Sequence, residues 1–264
     1  MSDQIRFVDG AAYERYMGVW SRTAGERFLD WLAPPTGWRW LDVGCGSGAF
    51  TETIVERCAP RAVTGIDPAD AQLVFARTRP SLRSADLQPG NAMAIPFGDD
   101  AFDAAVMPLV IFFVPDPPVA VAEMRRVVRP GGVVAAYAWD LPGEGFPYHD
   151  LHDAIREIGM EAPLPPHPEA SRLDVMQALW TDAGLLEVET CVIEVQRTFE
   201  SFDDYFSTVK GGASVAAQIA QMSPAQLERL ATLLRERLPV DAAGRITCSG
   251  VANAAKGRVP APTP

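Results

Sequence analysis

One stretch constrains the chain more than any other: Trp40-Leu41-Asp42-Val43-Gly44-Cys45-Gly46-Ser47-Gly48-Ala49-Phe50. The apolar run that ends in Asp42-Val43 predicts a buried parallel strand. Three glycines at alternate positions predict a tight turn, and Ala49 to Cys58 predicts a helix. A strand, a Gly-rich turn and a helix in this order bring bare backbone N–H groups up to a ligand in an α/β domain. Asp42, just ahead of the first glycine, narrows the choice of ligand. A carboxylate there repels a pyrophosphate and suits a ligand that carries an ammonium group.

Such a ligand is S-adenosylmethionine, and Leu41-Asp42-Val43-Gly44-Cys45-Gly46-Ser47-Gly48 resembles motif I of the class I S-adenosylmethionine-dependent methyltransferases. Gly44, Gly46 and Ala49 also satisfy the relaxed glycine pattern of nicotinamide enzymes, so this motif alone leaves both open. Ala62 to Asp67, followed by Pro68, predicts a short second strand that ends in an acid. Asp67 stands about 20 residues beyond the glycines, where a carboxylate at a strand end binds vicinal ribose hydroxyls. The alternative reading has Asp67 capping a helix over Ala69 to Arg77.

Leu82 to Leu87 predicts a third strand. Gly90-Asn91-Ala92-Met93-Ala94-Ile95-Pro96-Phe97 resembles the family's adenine loop, in which an acid accepts the adenine amino group. Here Asn91 replaces the acid, and its carbonyl accepts without charge assistance. Asp99 to Met107 resembles the family's entry into a fourth strand. Glu123-Met124-Arg125-Arg126-Val127-Val128-Arg129-Pro130-Gly131-Gly132 resembles its helix stop before a fifth strand, Val133 to Trp139. The helix itself is predicted from Asp116 with Pro117-Pro118 to Val128. Four matched segments in order across residues 39–140 outweigh the nicotinamide reading.

The resemblance is closest to the ubiquinone/menaquinone-biosynthesis-like small-molecule methyltransferases. It implies a Rossmann-like α/β fold: a seven-stranded, mainly parallel sheet with an antiparallel terminal hairpin and a helical cap. It also implies a cofactor set. Asp42, Gly44, Cys45, Gly46 and Gly48 hold the methionine end, Asp67 and Pro68 the ribose, Asn91, Ala92 and Met93 the adenine, with Met107 beside them. S-adenosylhomocysteine is the product.

Ahead of the core, residues 1–35 predict a helical cover. Ala11 to Leu32 has helical spacing that Gly18 and Gly25 weaken, which predicts two short helices. Tyr16 and Trp20 either lie over the cofactor, as the resemblance implies, or pack the helix onto the core. Residues 36–140 form the cofactor-binding core of a single domain. Residues 141–170 are proline-rich around a helix over Tyr148 to Ile158, and with residues 200–241 they predict a cap or lid. Residues 171–199 and 242–264 complete the sheet: a helix over Leu173 to Ala183, a strand over Glu187 to Phe199 and a last strand over Gly244 to Ala254. The lid holds helices over Phe202 to Val209 and Pro224 to Leu238, the latter burying Leu227, Leu230, Ala231 and Leu234. Cys191 and Cys248 are expected as near neighbours on the hairpin.

Methyl transfer from a sulfonium discharges a cation, so an apolar, water-poor site with aligned groups does much of the catalysis. Met107 to Val114 fits that role and offers no acid, base or nucleophile. Base candidates come from elsewhere: His149, His152, Asp140 and Tyr205. Trp139 and Asp140 are expected at the pocket. With 3 histidines and 4 cysteines in no ligand spacing, no metal is expected. The net charge of −11, from 23 basic and 34 acidic residues, argues against nucleic acid and anionic membranes as partners. No apolar run approaches the roughly 18 residues of a membrane span, and the amino terminus lacks a signal-peptide layout. A cytoplasmic enzyme with a small, largely apolar acceptor, methylated on oxygen or carbon, is the expectation. A protein that binds the cofactor without transferring methyl remains the alternative.

Overall fold

A computed structural model describes residues 14–212 and 215–261. Seven strands form one sheet in the order β3-β2-β1-β4-β5-β7-β6. They are β1 (Arg39–Val43), β2 (Ala62–Asp67), β3 (Asp86–Pro89), β4 (Phe102–Pro108), β5 (Val128–Trp139), β6 (Leu186–Phe199) and β7 (Ile246–Arg258). The first five are parallel, while β7 runs antiparallel between β5 and β6. Helix α1 (Val19–Leu32) precedes β1; parallel strands need crossovers, and helices α2 (Ala49–Cys58), α3 (Asp70–Ala76) and α4 (Pro117–Val127) join β1 to β2, β2 to β3 and β4 to β5. The strand order reverses between β1 and β4, which opens a crevice at the carboxyl ends of the strands.

The central strands are apolar on both faces, as a doubly covered parallel sheet requires. Leu41, Val43, Ala105, Val106, Val134 and Ala136 are all fully buried. The α4 start follows from its sequence: the Asp116 side chain accepts the Val119 amide at 3.2 Å, and prolines fill the first helical positions. Beyond β5 come α5 (His149–Glu157), α6 (Leu173–Asp182), α7 (Phe202–Lys210), α8 (Ala216–Ala220) and α9 (Pro224–Arg237). A capping box between Ser223 and Gln226 opens α9.

Several elements depart from the sequence reading. One helix, α1, replaces the two predicted over Ala11 to Leu32, with a π-helical turn over Glu14–Gly18 ahead of it. Ala11 to Tyr13 lie outside the described residues. Gly25 does not break α1, because it is a point of close approach: a Cβ there would lie 2.8 Å from Phe50 Cδ2. The third strand is Asp86–Pro89, since Pro80–Leu82 turns in a 3-10 helix. Strand β5 starts at Val128, and the Pro130-Gly131-Gly132 segment bulges within it: Phe102 pairs with Val128 but Ala104 with Val133. Between β6 and β7 the described residues form three helices instead of two, and α9 buries Leu230, Leu233 and Leu234, while Leu227 and Ala231, also expected on the buried stripe, are only half-buried.

Strand β7 begins at Ile246 and extends to Arg258. Its register separates the two hairpin cysteines, with Cys191 opposite Ala254 and Cys248 opposite Arg197. All four cysteines are free thiols. No helix among the described residues is long and apolar enough to cross a membrane.

Candidate functional site

A cavity of about 640 Å³ opens at the carboxyl edge of the sheet, over the strand-order reversal. Three segments of the core build its wall: Asp42 with residues 44–47 after β1, residues 67–72 after β2, and residues 108–110 with Phe113 after β4. Ser21, Phe50 and Tyr137 close one side. All three turn glycines have positive φ. At Gly44 (φ 76°) the lack of a side chain also serves contact, since a Cβ would meet Val110 Cγ2 at 2.6 Å. Leu109, on the same wall, holds a left-handed φ of 58°, its amide bonded to the Tyr137 carbonyl at 2.7 Å. Such strain persists only where its surroundings fix it.

Asp42 is fully buried, and its Oδ2 accepts the Thr51 hydroxyl at 2.7 Å. Its Oδ1 has no hydrogen-bond partner among the described residues. Burial pushes its carboxyl up to about 7 against the opposing Thr51 bond, and the nearby Asp67 charge adds to the rise. An orphaned buried carboxylate oxygen on a cavity wall asks for a cation with N–H donors. Asp67 accepts the Gly46 amide at 2.9 Å through Oδ2 and the Ala69 amide at 2.8 Å through Oδ1. Burial raises its carboxyl too, opposed by those two amides. Asp67 therefore ties the glycine turn to the end of β2, a link that no sequence spacing announced. With Asp70 these carboxylates make the cavity complementary to a positive ligand.

The other expected cofactor residues fall in different places. Cys45 and Pro68 line the cavity, and burial keeps the Cys45 thiol protonated. Asn91, Ala92 and Met93 lie outside this wall, next to it in the chain's path: the Gly90 amide donates to the Asp67 carbonyl at 3.2 Å. The Asn91 side-chain carbonyl accepts the Met93 amide at 2.9 Å. Gly48 and Met107 stand behind the wall. Tyr16 and Trp20 are also buried behind it, both bonded to one residue of the cap. The Tyr148 hydroxyl donates to the Tyr16 carbonyl at 2.8 Å and accepts from Trp20 Nε1 at 3.0 Å.

None of the four base candidates lines this cavity. His149 Nε2 lies 3.2 Å from Asp153 and 3.7 Å from Glu144 on the cap surface. His152 packs on Phe146, and burial lowers it to about 4, so its imidazole is neutral. Burial holds the Tyr205 hydroxyl protonated, and Asp140 Oδ1 accepts the Gly143 amide at 3.1 Å. Trp139 packs beside Gly250 instead of entering the wall. Tyr137 enters it, since the register sets Tyr137 opposite Pro108, where β4 itself reaches the cavity. Among the described residues, no group of three or more His, Cys, Asp and Glu could hold a metal ion.

This architecture has a counterpart among known families: residues 41–136 match the family described as a methyltransferase domain. Around it, the chain is 32% identical over 181 residues to an uncharacterized protein of Mycobacterium tuberculosis, covering 66% of this chain and 65% of that one. The chain thus spans just under two thirds of that relative's length. It is 41% identical over 108 residues to the ubiquinone/menaquinone biosynthesis C-methyltransferase of Paracoccus denitrificans, covering 39% of this chain and 43% of that enzyme. The fold is also that of phosphoethanolamine N-methyltransferase 2 of Haemonchus contortus, solved in complex with S-adenosyl-L-methionine. The TM-score is 0.58 at 16% identity, covering 95% of this chain and 56% of that one. The matched segment holds Asp42, the glycine turn, Asp67 and residues 90–97. Ser21 and Tyr137 come to the cavity from either side of it.

Proposed function

We propose that this chain transfers a methyl group from S-adenosylmethionine to a small, largely apolar acceptor, on oxygen or carbon. The observation that carries the reading is Asp42: a fully buried carboxylate whose Oδ1 lacks a partner among the described residues, on the wall of the cavity. The ammonium of the methionine end satisfies that oxygen. The amides of Gly44, Cys45, Gly46 and Gly48 are held inside the protein and fix the shape of the turn, Asp67 takes the ribose hydroxyls, and Asn91 with Ala92 takes the adenine edge. Bound there, S-adenosylmethionine would supply an electrophilic methyl carbon: a bond from the acceptor oxygen or carbon would form as the carbon–sulfur bond breaks, S-adenosylhomocysteine leaving with the electron pair and the acceptor's proton passing to water.

The chain's own contribution is alignment and exclusion of water. Leu109, Val110, Phe113, Phe50 and Tyr137 give the cavity apolar walls beside the acids Asp42, Asp67 and Asp70. Apolar walls favour a reaction in which charge disappears. The acceptor preference rests on those walls. A second reading, a protein that holds the cofactor without transferring methyl, draws on the placement of His149, His152, Asp140 and Tyr205 away from the cavity.

Calorimetric titration with S-adenosylmethionine, S-adenosylhomocysteine and NAD tests the cofactor. Both sulfur ligands should bind and NAD should not; binding of NAD alone, or of none of the three, overturns the reading. Radiolabelled methyl transfer to quinol and phenol acceptors then separates the enzyme from the binding protein.

A further inference from the structure

The glycine turn does not stand by itself. Arg79, between α3 and the Pro80–Leu82 turn, reaches behind it: Nε donates to the Ser47 carbonyl at 2.7 Å and Nη1 to Glu52 Oε2 at 2.7 Å. Glu52 lies in the first turn of α2, and its other oxygen accepts the Ser81 hydroxyl. The contact continues in apolar form one residue on. Leu82 Cδ1 occupies the place where a Gly48 Cβ would project, 2.5 Å away. One short segment therefore grips both the last carbonyl of the turn and the start of the following helix. Arg79 and Glu52 side chains are only 15% and 19% exposed, so the pair is sheltered from screening.

We infer that Arg79 is a positioning residue for the methionine end of the cofactor, an inference that rests on the reading above. A carbonyl oxygen and a carboxylate lie at separate points, and a planar guanidinium spans both with fixed geometry. Pro80 restricts Arg79 to extended backbone (φ −72°, ψ 121°), which aims the side chain before any ligand arrives. Ser47 belongs to the cavity wall, so holding its carbonyl back fixes the backbone of the turn where it borders the ligand. Asp67 fixes the same turn from the ribose side through Gly46. The two anchors divide the labour: Asp67 touches the ligand, and Arg79 acts through the loop.

The test is titration of wild type, R79M and R79K with S-adenosylhomocysteine and with 5′-methylthioadenosine, which keeps adenosine and sulfur but lacks the amino-acid end. R79M should weaken S-adenosylhomocysteine about tenfold while 5′-methylthioadenosine changes less than about twofold. R79K should recover part of the loss, since an ammonium keeps one of the two bonds. If R79M fails to fold, E52Q, which weakens the same pair while preserving shape, should give the same one-sided loss at smaller size. Equal losses for both ligands mark a merely structural role and overturn the inference, as does an unchanged affinity for S-adenosylhomocysteine. Wild type that binds neither ligand overturns the cofactor reading itself.

Discussion

At the scale of single residues, the cavity keeps an acid in a place that costs the empty fold stability. The Asp42 carboxyl titrates at about 7 in the fold against 3.8 as a free side chain, because burial opposes its charge. A carboxyl raised in this way stabilises the fold where it is protonated. The contribution is full below the unfolded value and is lost as pH rises through about 7. Asp42→Asn keeps shape and the Thr51 contact but never carries the charge. Its thermal midpoint without ligand should therefore exceed wild type by a margin that grows from pH 4 to pH 7 and levels off above. Its affinity for S-adenosylmethionine should fall about tenfold or more, as for a buried charged hydrogen bond. Calorimetry of unfolding and of binding checks both halves, and a mutant with unchanged affinity would sink the ammonium contact. Asp42 and Asp67 were legible in the sequence because an acid at a strand end is fixed by chain distance from the glycines. Ser21, Tyr137, Thr51 and Arg79 were not: each reaches the site through packing between elements, and no local pattern encodes that.

At the scale of elements, boundaries failed where tertiary contact overrode local preference. Gly25 looked like a helix break, yet α1 runs through it because the Phe50 ring needs the room. This sets two effects against each other in Gly25→Ala. The helix interior gains roughly 1 kcal/mol from removing a glycine. The new methyl, however, would stand 2.8 Å from Phe50 Cδ2 and 3.1 Å from the Tyr137 hydroxyl, and overpacking of a stiff core costs about 1–3 kcal/mol. Both rings line the cavity, so neither yields without deforming it. Gly25→Ala should lower the urea midpoint and weaken cofactor binding together; a mutant more stable than wild type would show that the rings give way. The lid was read less well than the core for a related reason. Residues 36–140 follow strand, turn and helix signals at close spacing, whereas the lid depends on which faces of short helices meet, as the shift from Ala231 to Leu233 shows.

At the scale of the whole molecule, the cavity joins parts of the chain that are remote in sequence. Ser21 of α1 lines it, and its carbonyl takes the Tyr137 hydroxyl of β5 at 3.4 Å. The residues just before Ser21 are held by the cap: Tyr148 stacks on Tyr16 with centroids 4.3 Å apart and bonds both Tyr16 and Trp20. Arg197 of β6 donates to the same two oxygens, the Tyr16 carbonyl and the Tyr148 hydroxyl, at 3.4 Å each. A ligand that fixes Ser21 thus tightens a path through α1 into α5 and the terminal hairpin. A ligand at a hundred times its dissociation constant stabilises the fold by about 2.7 kcal/mol. Local opening of any segment that must release the ligand becomes rarer by the same factor. Hydrogen exchange with saturating S-adenosylhomocysteine should slow over residues 16–25 and 146–152 as well as at the glycine turn. Residues 224–237 of α9, which supply no cavity wall, should exchange as before. In Tyr148→Phe the ring stack survives but all three hydroxyl bonds are lost, so protection should remain at the glycine turn and fade from residues 146–152. Protection confined to the turn in wild type would mean that the cap and the cofactor chamber open independently.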